Sequence, residues 1–244
     1  MSNLTNAFGI VTGAAEGMGR EIAKAYARER MRLALFDIQA QKLHALVDEF
    51  RAQQVDCLPF VVDLADAQAT QTAIQQVLDH YGTPRVLVNN AAVLNERYFV
   101  DITFEQWRRE IDITLQAGFI LCKAVWPLMI EAQGGSIVFI SSGSALRGFI
   151  KEAAYCPGKH GQEGLMKVLS LEGKPYNIAV NTVTPGAPIN TPMSHGHYTE
   201  EQRQKWIDPA LLAPAFVWLA QQNASDVTGE RLDAWKISQS IEHS

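Results

Sequence analysis

The stretch Phe8-Gly9-Ile10-Val11-Thr12-Gly13-Ala14-Ala15-Glu16-Gly17-Met18-Gly19-Arg20 decides the fold. Phe8 to Val11 reads as a short buried strand, and it runs straight into a glycine-rich turn before a helical pattern opens at Arg20. Glycines let the backbone turn tightly and approach a ligand closely, while the following helix N-terminus offers unsatisfied N–H groups and the positive end of a dipole. A strand, a glycine turn and a helix in this order suit the pyrophosphate of a dinucleotide. Gly13, Glu16, Gly17, Met18 and Gly19 are the residues expected to hold it.

Outward from this turn, short apolar runs alternate with longer amphipathic ones. Strands are expected at Phe8 to Val11, Arg32 to Phe36, Cys57 to Val62, Val86 to Asn89, Ser136 to Ile140, Ile178 to Val183 and Arg231 to Trp235. Between them lie helical stretches such as Ile38 to Ala52, where Leu43, Leu46, Val47 and Phe50 recur at helical spacing. Parallel strands need crossover connections, so this alternation predicts an α/β, doubly wound, mostly parallel seven-stranded sheet with helices on both faces, three layers in all. Nothing in the composition marks a seam, and residues 1–244 are expected to form a single domain. The segment Pro185 to His197 carries three prolines, two glycines and two histidines before a polar helix near Glu200 to Trp206. It follows the sixth strand, on the edge where open α/β sheets bind ligands, and residues 187–208 are expected to act as a substrate lid.

Composition narrows the partners. The net charge of −5 comes without a basic run, which argues against nucleic acid and anionic membranes and favours a small molecule. Three cysteines, Cys57, Cys122 and Cys156, form no CxxC pair, so neither a disulfide framework nor a zinc site is indicated, and a reducing cytoplasm fits. With the first strand beginning by about Phe8, no cleavable leader is expected, and no apolar run is expected to approach the roughly 20 residues that span a bilayer. His195 and His197 lack a third ligand of clear placement, so no metal is expected.

Asp37 ends the second strand, eighteen residues after Gly19, where a carboxylate can accept hydrogen bonds from an adenosine ribose and repel a 2′-phosphate. Ile38 follows it. Glu16 adds a second negative charge, although Arg20 and Lys42 lie near in sequence; NAD is expected over NADP. Asp63-Leu64 closes the third strand and Asn89-Asn90-Ala91-Ala92 the fourth, both facing the adenosine. Ala91 and Ala92 are small enough for a close approach. Asn89 and Asn90 suit either the cofactor or backbone groups between strands.

Tyr155 and Lys159 sit four residues apart, on one face of a helix. A fixed ammonium beside a phenol favours phenolate, moving a group that titrates near ~10 toward working pH. Such a tyrosine is a general acid or base, and a dinucleotide turn followed by one suggests hydride transfer coupled to proton transfer. Pro157 is tolerated only in a first helical turn, so this helix should begin at Ala154 or Tyr155. Cys156 reads as a packed small residue more readily than as a redox switch.

Thr12 to Gly19, Asp63, Asn89 to Ala92, Ser142, Tyr155 with Lys159, and Pro185-Gly186 with Ile189 and Thr191 together resemble the short-chain dehydrogenase/reductase family in its small single-domain form. The resemblance implies that Tyr155 is the acid/base, that Ser142 holds the substrate oxygen, and that Lys159 binds the nicotinamide ribose while lowering the tyrosine pKa. Pro185, Gly186, Ile189 and Thr191 would contact the carboxamide. The family commonly places an asparagine on the helix between the fourth and fifth strands, holding a water in a proton relay; here Thr114 takes that position. Leu232-Asp233-Ala234-Trp235-Lys236 replaces the family's usual Asp-Gly-Gly ending and is expected to continue the seventh strand. A homo-oligomer, dimer or tetramer, is implied by the resemblance alone. Ser144, Arg147, Asn95 and Met193 are expected near the substrate by position.

The sequence therefore points to an NAD(H)-dependent oxidoreductase that interconverts a secondary alcohol and a ketone. A 3-oxoacyl-carrier-type reductase is an alternative, but such enzymes usually prefer NADPH. A dinucleotide-sensing protein without catalysis is another; that class typically loses the tyrosine or the lysine, and both are present.

Overall fold

The computed structural model describes residues 3–196 and 199–243; His197 lies outside the described residues. Among the described residues seven parallel strands form one sheet: β1 (Phe8–Thr12), β2 (Arg32–Asp37), β3 (Cys57–Val61), β4 (Val86–Asn89), β5 (Gly135–Ile140), β6 (Ile178–Thr184) and β7 (Arg231–Asp233). Their order is β3-β2-β1-β4-β5-β6-β7. Alternate residues of each strand feed two separate cores, as burial on both faces requires. Val11, Leu33, Leu35, Val86, Val88 and Val138 enter one core, which is shared with α1 (Gly17–Arg28), α2 (Ala40–Ala52), α8 (Ala213–Gln221) and α9 (Ala234–Glu242). Ile10, Ala34, Phe36, Leu87, Ile137 and Phe139 enter the other, shared with α3 (Ala67–Tyr81), α5 (Ala117–Glu131) and α6 (Tyr155–Gly173). Pro59, which lacks a backbone donor, sits in β3 at the edge of the sheet, where it is least disruptive. The order reverses between β1 and β4, which opens a crevice at their carboxyl ends.

The expected strand bounds hold to within one residue except at β7. That strand stops at Asp233 and gives way to α9, so Trp235 and Lys236 are helical and do not continue the sheet. The cause is a cap: the Asp233 carboxylate accepts the Lys236 N–H at 3.0 Å. The first helix starts at Gly17, three residues before Arg20, because the Arg20 N–H already donates to the Glu16 carbonyl at 3.3 Å. The polar helix, α7, spans only Glu200–Arg203. Beyond it Ile207 pairs with Ile189 in an isolated bridge that pins the long loop back on itself.

One expectation about apolar runs is corrected. A continuous helix from Phe104 to Glu131, built from α4 (Phe104–Ile111), a π-helical turn (Asp112–Gln116) and α5, is long and apolar enough by length and composition to cross a membrane. Half of its most apolar window is buried inside the protein, as in a core helix. Its apolar residues serve the second core through Ala117, Leu121, Cys122 and Val125.

Gly19 shows how the opening turn is held. A Cβ there would lie 2.1 Å from the Gly13 carbonyl oxygen and 2.5 Å from the Asn90 side-chain nitrogen. Helix and turn close on each other only because this side chain is missing. Gly19→Ala is therefore expected to cost about 2 kcal/mol or more in urea unfolding and to weaken dinucleotide binding, by the same displacement.

Candidate active site

The carboxyl ends of β1, β4, β5 and β6 open onto a cleft of about 1310 Å³. That exceeds the range of roughly 300–1,000 Å³ usual for a single small ligand, and is room for a dinucleotide with a substrate beside it. Gly13, Glu16, Gly17 and Met18 line one end. Gly13 (φ +63°) and Gly17 (φ +56°) hold the left-handed conformation that other residues avoid. Gly19 does not line the cleft; its duty is packing.

The turn is anchored by Thr12. Its hydroxyl accepts the N–H groups of Asn90 and Ala91, each at 3.0 Å, and donates to the Val88 carbonyl at 3.4 Å. The Asn90 amide in turn donates to the carbonyls of Thr12 (2.9 Å) and Gly13 (3.1 Å). Asn90 thus satisfies backbone groups between strands while still bordering the cleft with Ala91 and Ala92. Asn89 is buried, and its amide nitrogen contacts the Cys122 sulfur at 3.7 Å.

Asp37 and Ile38, at the end of β2, also line the cleft. The Asp37 carboxylate accepts the Ala15 and Gln39 N–H groups, both at 2.9 Å, which fixes its orientation and leaves acceptor capacity. The basic residues nearby are already paired, Lys42 with Glu16 and Arg20 with Glu49 at 3.6 Å. Asp63 and Leu64 also line the cleft. Asp63 pairs with Arg109 at 2.8 Å and accepts the Ala65 N–H at 3.0 Å. Partial burial opposes ionisation of Asp63, but Arg109 and the Ala65 N–H outweigh it and hold the pKa below the ordinary aspartate value.

At the other end stand Ser142, Tyr155 and Lys159. Ser142 follows β5 and caps a short helical turn, with its hydroxyl 3.2 Å from the Ser144 N–H that it accepts. Tyr155 opens α6, as Pro157 in the first turn requires, and the Lys159 nitrogen lies 5.5 Å from the centre of its ring. Lys159 is 2% exposed, and its ammonium donates to the Ile140 carbonyl at 2.6 Å and to Gln162 Oε1 at 3.1 Å. Burial pushes its pKa down to about 7, with the Glu163 charge working in the opposite direction.

Two residues missed by the sequence reading, the buried Glu163 and the part-buried Arg231, brace this end. Glu163 accepts from the hydroxyls of Ser141 (2.5 Å) and Thr182 (2.9 Å) and pairs with Arg231 at 3.3 Å. Arg231, from β7, also donates to the Ser142 carbonyl at 3.0 Å. The signal was present in part, since Gln162 and Glu163 follow Lys159 at i+3 and i+4 and so share its buried face. Nothing in the sequence placed Arg231 or Arg109.

Thr114 does not line the cleft. Its side chain packs on the catalytic-candidate helix, 3.1 Å from where a Cβ of Gly158 would stand, and its hydroxyl is buried without a hydrogen-bond partner among the described residues. Pro185, Gly186, Ile189, Thr191 and Met193 line the cleft from the loop after β6, and Thr191 shares a 2.8 Å hydrogen bond with Ser194. Gly186 (φ +79°) leaves space that Asp233 fills. Ser144 and Arg147 line the cleft beyond Ser142, where the Arg147 guanidinium covers the Phe149 ring at 4.9 Å. Asn95 does not; it sits against the buried Glu110 carboxyl, whose pKa burial raises despite the Asn95 donors. Cys156 is buried and burial raises its thiol pKa, consistent with packing. His195 bonds Asn190 at 2.8 Å, and no cluster of metal-ligating side chains occurs among the described residues.

Residues 8–202 match the family model for the short chain dehydrogenases, and the chain belongs to that family. It is an oxidoreductase of alcohol and ketone groups that uses a nicotinamide dinucleotide. It is similar to trans-4-hydroxycyclohexanecarboxylate dehydrogenase of Sinomonas cyclohexanicum, 33% identical over 91% of this chain and 89% of that one. A 3-oxoacyl-[acyl-carrier-protein] reductase of Chlamydia muridarum is 31% identical over 95% and 96%. A solved structure of a putative NAD(P)-dependent gluconate 5-dehydrogenase from Beutenbergia cavernae, with bound NADP, superposes with a TM-score of 0.86 at 26% identity, covering 96% of this chain and 98% of that one.

The depressed lysine has a thermodynamic signature. Below about pH 7 Lys159 is charged in both the folded and unfolded chains, and the cost of burying it is felt in full. Between about 7 and the unfolded value near ~10.4 the unfolded chain binds more protons, so this group's contribution makes stability rise with pH. In urea unfolding without dinucleotide, the stability of Lys159→Met relative to the parent should therefore fall by a few kcal/mol from pH 7 to pH 10. An unchanging difference would show that Lys159 keeps an ordinary pKa.

Proposed function

We propose that this chain is an NAD(H)-dependent oxidoreductase that interconverts a secondary alcohol and a ketone, with Tyr155 as acid/base. The observation that carries it is the buried Lys159 ammonium beside the Tyr155 ring, in the same cleft as the Ser142 hydroxyl. In the oxidative direction Ser142 orients the substrate hydroxyl and phenolate Tyr155 takes its proton. Lys159 holds the phenolate by charge. When bound, the nicotinamide supplies the hydride acceptor for oxidation or the donor for reduction. The glycine turn and α1 N-terminus suit the pyrophosphate, Asp37 the adenosine ribose, and the segment from Pro185 to Thr191 the carboxamide. Acid/base help of this kind is worth about 10²- to 10⁴-fold. Tyr155→Phe should lose turnover by about that factor and still bind NADH; a variant with parental rates would sink the mechanism.

The preference for NAD is supported by Asp37 and by the pairing of Lys42 and Arg20 with carboxylates, which leaves little cationic capacity for a 2′-phosphate. Ketone reduction should favour NADH over NADPH by about tenfold or more in kcat/KM, and Asp37→Ser should narrow that ratio. A preference for NADPH with activity on 3-oxoacyl thioesters would favour the reading suggested by the acyl-carrier-type relative. The same proposal treats residues 1–244 as one domain, with 187–208 as a lid over the substrate and a reducing cytoplasm as the setting for three free, buried cysteines. Exposed Phe119 on α5 and Val168 and Leu171 on α6 support a homo-oligomer. Size exclusion with light scattering should give a dimer or tetramer; a monomer at micromolar concentration would reject it.

A further inference from the structure

The Lys159 ammonium has three N–H donors, and two of them are taken from inside the protein, by the Ile140 carbonyl at 2.6 Å and by Gln162 Oε1 at 3.1 Å. The other end of the same Gln162 amide donates to the Thr114 carbonyl at 2.6 Å. Thr114 lies in the π-helical turn between α4 and α5. A π turn shifts the backbone bonding pattern away from the α-helical ladder and gives its carbonyls other partners, and such turns recur at functional sites. Gly158 lets the turn approach, because a Cβ there would stand 3.1 Å from the Thr114 methyl. Gln162 is 2% exposed, so no solvent competes for either of its bonds.

We infer that Gln162 is a positioning residue for the hydride-transfer site: its buried amide ties the Lys159 ammonium to the π turn and leaves that ammonium a single N–H to present to the pocket. The inference rests on the proposed roles of Tyr155 and Lys159. It also assigns the contact between the π turn and the lysine to a fixed side chain, with the Thr114 hydroxyl outside it. A methylene chain of similar length fills the space but offers neither acceptor nor donor, whereas a carboxylate keeps the acceptor and adds charge.

The other charged groups around the ammonium are few. Its own helix presents Tyr155 and Glu163, and β7 presents Arg231, which is paired with Glu163. The end of β5 offers the Ile140 carbonyl, and the charged residue of the π turn, Asp112, is paired with Arg108 at 3.5 Å. Removing the Gln162 acceptor therefore leaves the ammonium less stabilised, with nothing on these elements released to replace it.

The test uses full-length protein labelled with ¹³C at lysine Cε, with the Lys159 resonance assigned by its loss in Lys159→Met. In Gln162→Leu, without dinucleotide, Lys159 should titrate about one pH unit lower than in the parent; in Gln162→Glu it should titrate higher. In turnover, Gln162→Leu should lower kcat about tenfold with the alcohol KM changed less than about twofold, and the alkaline limb of kcat should move to lower pH. Gln162→Met serves if the leucine variant does not fold. A Lys159 titration that coincides in parent, leucine or methionine, and glutamate variants overturns the inference. If Tyr155→Phe is inactive while the Gln162 variants match the parent, this inference alone fails; an active Tyr155→Phe removes the reading beneath it.

Discussion

Burial of one ammonium governs the architecture of this site. An isolated cation taken from water into a protein interior is costly, and it persists only where polar groups meet it. Lys159 is met from three directions, by the end of β5, by Gln162 on its own helix and by the charge of Glu163 one turn on. Each partner is itself engaged elsewhere. Gln162 reaches the π turn, and Glu163 reaches Ser141, Thr182 and Arg231. The helix that carries Tyr155 is thereby fixed against β5, β6, β7 and the α4–α5 junction by polar contacts as well as by its apolar face.

This network lies at one end of a cleft whose other end is organised by a different hub, the Thr12 hydroxyl with Asn90. The two ends are joined through the neighbouring strands β4 and β5, whose carboxyl ends lead into Asn90 and Ser142. The glycine turn follows β1 and Ser142 follows β5, two strands away in the sheet, so strand spacing sets the distance between them. That spacing is among the least variable lengths in a protein, which makes the sheet a suitable ruler for placing the serine loop relative to the glycine turn.

The fold was legible because its determinants are local or periodic. Strand-length apolar runs, the glycine turn and the alternation of elements read directly into a parallel doubly wound sheet, and Pro157 located the start of α6. The site was legible where helical spacing joins residues near in sequence, as with Tyr155 and Lys159, which line the cleft together. It was illegible where contacts join distant segments. Arg231 meets Ser142 across 89 positions, and Arg109 meets Asp63 across 46. Asp233 was hidden differently: a β-prone run ended because a single carboxylate capped the next helix, a choice made by tertiary packing beside Gly186. Gly19 was read as ligand-facing although its missing side chain serves the turn itself, a distinction that only the position of the Gly13 carbonyl reveals.

The hydrogen bond from Arg231 to the Ser142 carbonyl bears on how the molecule comes into being. A chain emerging from the ribosome acquires its glycine turn, Tyr155 and Lys159 well before β7 has been made, and a domain generally folds as a unit. During that interval Glu163 has no guanidinium partner from β7, and the serine loop lacks the contact that orients its backbone. Because β7 is the last strand in chain order, the polar network around Glu163 and the serine loop closes only when the sheet itself is complete.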